Sequence, residues 1–107
     1  MGFEKEYSEN DYRREDPALA QGPVILEFGN AWCGWCRRAQ PLIEAALKAH
    51  DGVRHIKVAD ASGKRLGRAF TVKLWPTLVF LKDGEERARL VRPHDADEIR
   101  QSLGKIL

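Results

Sequence analysis

Residues 24–36 read Val24-Ile25-Leu26-Glu27-Phe28-Gly29-Asn30-Ala31-Trp32-Cys33-Gly34-Trp35-Cys36. Val24 to Phe28 is a short β-type run bounded by Gly22-Pro23 and Gly29-Asn30, the pattern of a strand buried on both faces, and Glu27 interrupts it. From Gly34 to about His50 the apolar residues Ala39, Leu42, Ile43, Ala46 and Leu47 recur at helical spacing, and Asp51-Gly52 closes the element. Pro41 lies inside this helix and is expected to kink it. The two cysteines therefore stand where a core strand passes into a helix. Unsatisfied N–H groups and the positive end of the helix dipole stabilise an anion there, which turns a sluggish thiol into a thiolate nucleophile. Cys33 is the candidate nucleophile. Cys36, one turn further in, can close a small disulfide ring, is expected to be more buried, and suits the resolving role.

The same reading extends along the chain. Val53 to Asp60 alternates imperfectly, but its β-branched content and the preceding Gly52 favour a second core strand. Ser62 to Phe70 reads as a short helix with Leu66, Ala69 and Phe70 on one face and Ser62 as its cap. Thr77 to Lys82 and Glu85 to Val91 are two strands joined by a tight Asp83-Gly84 turn, which makes them antiparallel. Asp95 and Glu98 have capping-box spacing ahead of the stripe Ile99, Leu103 and Ile106, a final amphipathic helix. Before the first core strand, Glu4 to Tyr7 is expected as an edge strand and Ser8 to Ala20 as a helical stretch broken near Pro17. The order strand, helix, strand, helix, hairpin, helix is an α/β core with a parallel crossover and an antiparallel pair.

A chain of 107 residues with no internal repeat or linker is expected to be one domain spanning 1–107. Its 18 basic and 16 acidic residues leave a net charge of +2, which argues against a general nucleic-acid binder. The acidic start Glu4-Lys5-Glu6 offers no signal peptide, and no apolar run approaches the ~18 residues of a membrane span. The expected location is cytoplasmic, or periplasmic if a signal has been removed, with no membrane or nucleic-acid partner.

Three uses of the cysteine pair compete. A structural disulfide across so small a ring constrains little of the unfolded chain. A zinc site needs about four ligands, and His50, His55 and His94 lack the paired spacing of such a motif, so no metal is expected. These histidines read as a helix end, a strand face and a loop, and none receives a role. Redox chemistry fits the position of the pair best.

The chain at this point resembles the thioredoxin family. The resemblance rests on Trp32-Cys33-Gly34-Trp35-Cys36, on Pro41, on Trp75-Pro76-Thr77 ahead of a strand, and on the Lys82-Asp83-Gly84-Glu85 hairpin, and it extends from Val24 to Leu107. It implies a thioredoxin fold, a central mixed β-sheet flanked by helices, with thiol-disulfide exchange as the activity. It also implies a cis Trp75–Pro76 bond facing the cysteines, although cis is a minority of ~5–6% of X–Pro bonds in general. Glu27 stands where the family usually carries a buried aspartate that helps deprotonate the resolving cysteine. A carboxylate in an apolar strand holds its proton more tightly and could accept one near neutral pH, reaching the sulfur through a water, unless it turns to solvent at the strand edge. The lysine that often accompanies the aspartate has Ile56 in its place on this reading, with Lys57 on the opposite face.

Departures from the family pattern bear on partners. Trp35 replaces the usual proline between the cysteines, which implies a shifted redox poise, towards a better oxidant. Gly29 replaces a common aromatic and is expected to open space below the site. Arg92-Pro93 replaces a glycine that lets substrates approach, and with Arg37, Arg38 and Lys73 it suggests a basic rim. Trp32, Trp35 and Trp75 are expected to form a partly exposed aromatic groove for peptides. The expected catalytic set is Cys33, Cys36 and Glu27, and the substrate-contacting set is Trp32, Gly34, Trp35, Trp75, Pro76 and Arg92, with the Trp75 backbone pairing to an extended substrate. The activity read from these residues is a monomeric protein-disulfide reductase with no cofactor, recycled by an external reductase or thiol protein. Alternatives are an exchanger that is exported or dedicated to one partner, and a non-catalytic binding module switched by its cysteines.

Overall fold

The computed structural model describes residues 2–107 and shows a mixed sheet of four strands in the order β2-β1-β3-β4. β1 is Pro23–Gly29, β2 Arg54–Ala59, β3 Thr77–Lys82 and β4 Glu85–Val91. β1 pairs parallel with β2 and antiparallel with β3, so the strand that leads to the cysteines is central and held along both edges. The helices are α1 (Gly34–Leu47), α2 (Arg65–Ala69) and α3 (Ala96–Leu103).

Alternation along the strands divides the core in two. Ile25, Leu78 and Phe80 pack with Ile43, Leu47, Ile99 and Leu103 on the face covered by α1 and α3. Val24, Leu26, Phe28, Ile56 and Val58 point the other way, against Leu66 and Phe70 beside α2 and against Leu19. Asp83 and Gly84 both take left-handed φ, 49° and 82°, the backbone that a two-residue hairpin with properly twisted strands requires. Asp95 caps α3 by accepting the Glu98 amide, and Glu98 returns to accept the His94 amide, which satisfies two otherwise orphaned donors.

Two local expectations fail. Ser62 is not a cap: α2 begins only at Arg65, after a turn in which Gly63 takes φ 91°, and Lys64 stands at its N-cap without a side-chain bond. The N-terminal segment forms neither an edge strand nor a long helix. It runs beside β2 through isolated bridges at Gly2–Arg54 and Ser8–Val58, followed by a short 3₁₀ turn at Pro17–Leu19 capped by Asp16. The cause lies in the side chains, because Lys57 and His55 of β2 take up the backbone of Lys5 and Glu4 that a regular ladder would have used.

Candidate active site

Cys33 is the N-cap of α1, and its sulfur accepts the Cys36 amide at 3.3 Å. It is partly exposed, whereas Cys36 is fully buried, and both are free thiols. The sequence spacing thus places an accessible sulfur at a helix N-terminus and a shielded one a turn below it. Burial, followed by the hydrogen bond with Cys33, pushes the Cys36 thiol up to about 12.

Around the sulfurs, Trp32 is 74% exposed and Trp35 45% exposed. Trp32 meets Trp75 edge to face at 5.8 Å, which ties the cysteine loop to the loop of the cis Trp75–Pro76 bond. Gly34 is exposed and Pro76 buried. Two guanidinium groups approach the Trp35 ring, Arg92 at 4.8 Å and Arg38 at 5.4 Å from its centre. Arg92 has φ 52°, the left-handed backbone that favours glycine, and its Nε donates to the Trp75 carbonyl at 2.8 Å. The Trp75 carbonyl, expected to pair with an extended substrate, thus already accepts one hydrogen bond and keeps a second lone pair. Arg37 and Lys73 are exposed.

Beneath the cysteines, Glu27 is completely buried, which removes the possibility that it turns to solvent. Its Oε1 receives His55 Nε2 at 2.8 Å, and its Oε2 receives Gln40 Nε2 at 2.8 Å and the Tyr7 hydroxyl at 3.0 Å. His55 Nδ1 accepts the Glu4 amide, so Nε2 carries the imidazole proton and donates it to the carboxylate. Burial alone would raise the Glu27 carboxyl, but the His55 and Gln40 hydrogen bonds and the Lys57 charge outweigh it and hold the group below its usual value. The expected tight hold on a proton is thereby overturned. Glu27 is therefore ionised and accepts three hydrogen bonds.

The sheet register corrects two further readings. Glu27 pairs with Lys57 across β1 and β2, and in a parallel pair such residues project to one face, whereas Ile56 sits opposite Leu26 in the other core. Lys57, not Ile56, therefore accompanies the carboxylate, and His55 lies on the same face. Lys57 Nζ donates to Gln40 Oε1 and the Lys5 carbonyl, both at 2.8 Å, and stands 4.2 Å from the Tyr7 ring centre. Gln40 joins the two parts, since its Nε2 also donates to the Cys36 carbonyl. Gly29 opens no space. A Cβ there would stand 2.6 Å from Cys36 Sγ and 3.3 Å from the Tyr7 hydroxyl, so those two atoms fill the room that the glycine leaves. The sequence assigns no role to Tyr7, Gln40, Lys57 and His55, because only the tertiary fold brings them together: the β1–β2 register places His55 and Lys57, α1 carries Gln40, and the bridge beside β2 brings in Tyr7.

The thioredoxin family model matches residues 5–105. A thioredoxin from Chlamydia trachomatis is 33% identical over 88 residues, covering 82% of this chain and 86% of its own. The structure of reduced thioredoxin 2 from Pseudomonas aeruginosa superposes with TM-score 0.81 at 44% identity, covering 95% of this chain and 98% of that one. A Halobacterium salinarum thioredoxin mutant shares the fold at TM-score 0.76 and 23% identity.

Proposed function

The chain belongs to the thioredoxin family and is a thiol-disulfide oxidoreductase that reduces protein disulfides, and from that premise we propose the part each residue plays. The carrying observation is the partly exposed Cys33 at the start of α1, with Cys36 fully buried a turn further along the helix and Glu27 fully buried in β1. Cys33 thiolate attacks one sulfur of the substrate disulfide, the S–S bond breaks, and a substrate thiolate leaves. Cys36 then gives up its proton and attacks Cys33 Sγ, which releases the second substrate thiolate and leaves the enzyme oxidised. Two electrons have passed to the substrate. A recycling reductase or thiol protein returns them, and no organic cofactor is required in the chain. Glu27 serves the second step as the acceptor towards which the Cys36 proton moves as charge passes to the leaving sulfur.

Trp32, Gly34, Trp35, Trp75 and Pro76 form the docking surface in this reading, and Arg92 restricts it by holding the Trp75 carbonyl and covering Trp35. An extended peptide that adds to the Trp75 backbone must share the carbonyl with that guanidinium or move it aside. Selectivity for substrates that can do so follows. The chain acts as one domain and a monomer. No helix among the described residues is long and apolar enough to cross a membrane, and a reducing compartment such as the cytoplasm suits the proposed direction of exchange.

Substitution of each cysteine tests the assignment. With a protein disulfide such as insulin, Cys33→Ser should abolish exchange, and Cys36→Ser should attack once and stall as an isolable mixed disulfide. Trapping by Cys33→Ser instead would refute the order of the two thiols.

A further inference from the structure

The mechanism needs a path for the Cys36 proton to Glu27. Three side chains among the described residues bond to the carboxylate, and two of them cannot carry it: His55 Nε2 and Gln40 Nε2 each present an N–H to the carboxylate and have no lone pair there to accept a thiol proton. The third is Tyr7. Its hydroxyl lies 3.0 Å from Glu27 Oε2 and borders the same small space beside Gly29 as Cys36 Sγ. The tyrosine comes from the segment before β1, held there by the Ser8–Val58 bridge and by Lys57 over its ring.

We propose that Tyr7 is a catalytic residue of this protein, the hydroxyl relay through which the Cys36 proton reaches Glu27 during resolution. The proposal rests on the dithiol reading above. The donor inventory sets its direction. An ionised carboxylate only accepts, so the Tyr7 proton points at Glu27, and the phenol oxygen is left to accept the Cys36 S–H. Hydroxyl and thiol each perturb the other's hold on its proton, as neighbours in such a chain do. As Cys36 Sγ bonds to Cys33 Sγ, the Cys33–substrate bond breaks and its electron pair leaves on the substrate sulfur. The Cys36 proton passes to the Tyr7 oxygen and the Tyr7 proton to Glu27 Oε2. Glu27 is left protonated, and, being fully buried, it returns the proton by way of Tyr7, which with Asn30, Gln40 and Lys57 helps to line a cleft of about 380 Å³. Reduction of the disulfide runs the chain backwards and reprotonates Cys36.

Tyr7→Phe removes the oxygen and keeps the ring under Lys57. The test is single turnover of the reduced protein with an aromatic disulfide whose leaving thiolate is coloured, because the first release reports attack by Cys33 and the second reports resolution. Attack should be unchanged and resolution slowed on the order of 10- to 100-fold, at the lower end of general acid–base contributions because water can enter the gap. In series with Glu27, the lost hydroxyl should add no further slowing to Glu27→Gln. Resolution at the normal rate, equal slowing of both releases, or multiplied losses in the double variant would overturn the relay. The unmodified protein supplies a measurement that depends on no variant: with two protons in flight, the resolution rate should curve against the deuterium fraction of the solvent, and a straight line would overturn the relay. Failure of the first release would instead sink the dithiol reading, and the relay with it.

Discussion

Gly29→Ala measures how tightly the resolving cysteine is enclosed. The added methyl carbon would stand 2.6 Å from Cys36 Sγ, about 1 Å inside an ordinary contact of ~3.5–4.0 Å. Neither side can yield easily. β1 is paired on both edges, Gly29 itself opposite Ala59, and its carbonyl accepts the Asp60 amide at 2.9 Å. Cys36 is anchored through its amide to Cys33 Sγ and through its carbonyl to Gln40. Overpacking of this kind costs about 1–3 kcal/mol. Gly29 does not have a left-handed φ, so alanine also gains about 0.4–1 kcal/mol by restricting the unfolded chain. The net loss for the reduced protein is roughly 1–2 kcal/mol, a Tm lower by about 5–15 °C for a domain of this size. The decisive assay is thermal unfolding in two backgrounds. With Cys36→Ala the sulfur is gone and only the 3.3 Å approach to the Tyr7 hydroxyl remains, so Gly29→Ala should lose most of its cost. An equal loss in both backgrounds, or none in the protein that retains Cys36, would refute the claim that the sulfur fills the glycine's space.

The ionisable groups under the site set opposite limits on stability. Glu27 is held below its usual value in the folded state, so its contribution is present above the ordinary carboxylate range and is lost as pH falls through the folded value. Cys36 is raised, so its contribution is present below its ordinary value and is lost as pH rises from about 9 to about 12. Urea unfolding of the reduced protein should therefore show an alkaline decline of at most a few kcal/mol over that window, shallower in Cys36→Ala; identical curves would contradict it. Arg92→Gly should leave stability nearly unchanged, because relief of the left-handed backbone, about 1 kcal/mol, offsets the lost bond to Trp75, also about 1 kcal/mol. The same change frees the Trp75 carbonyl, so turnover of insulin should rise severalfold, and an unchanged rate would show that the guanidinium does not restrict the groove.

What could be read from the sequence was whatever a short window encodes. The apolar run Val24 to Phe28, the helical spacing from Ala39 to Leu47, the Asp83-Gly84 turn and the Asp95 cap each carry their physics in a few adjacent residues, and each element stands where its pattern placed it. The cysteine site was legible for the same reason, since a helix start after a core strand is a local fact. Lys57 was not. Its face depends on which residue of β1 it opposes, and that pairing joins positions thirty apart in the chain, Glu27 with Lys57. A slip of one residue in an imagined register sends every side chain to the wrong side. Tyr7 is harder still, because its segment has no periodicity and is positioned by two isolated bridges and a lysine.

Once the register is known, the polar residues of the two strands explain one another. Glu27 and Gly29 of β1, with His55 and Lys57 of β2, all project towards α1, and at the neighbouring positions Leu26, Phe28, Ile56 and Val58 keep the opposite face apolar. A core built for stability alone would have filled both faces in the same way, because a buried ionised carboxylate must recover its lost hydration from fixed partners. Here it does so with three donors on two oxygens. That expense is confined to the part of the sheet beneath the start of α1, where an exposed thiol and a buried thiol meet. The break in alternation at Glu27, visible in the first strand of the sequence, therefore marks where the fold gives up apolar packing, at the place where the proposed relay would handle a proton under the cysteines.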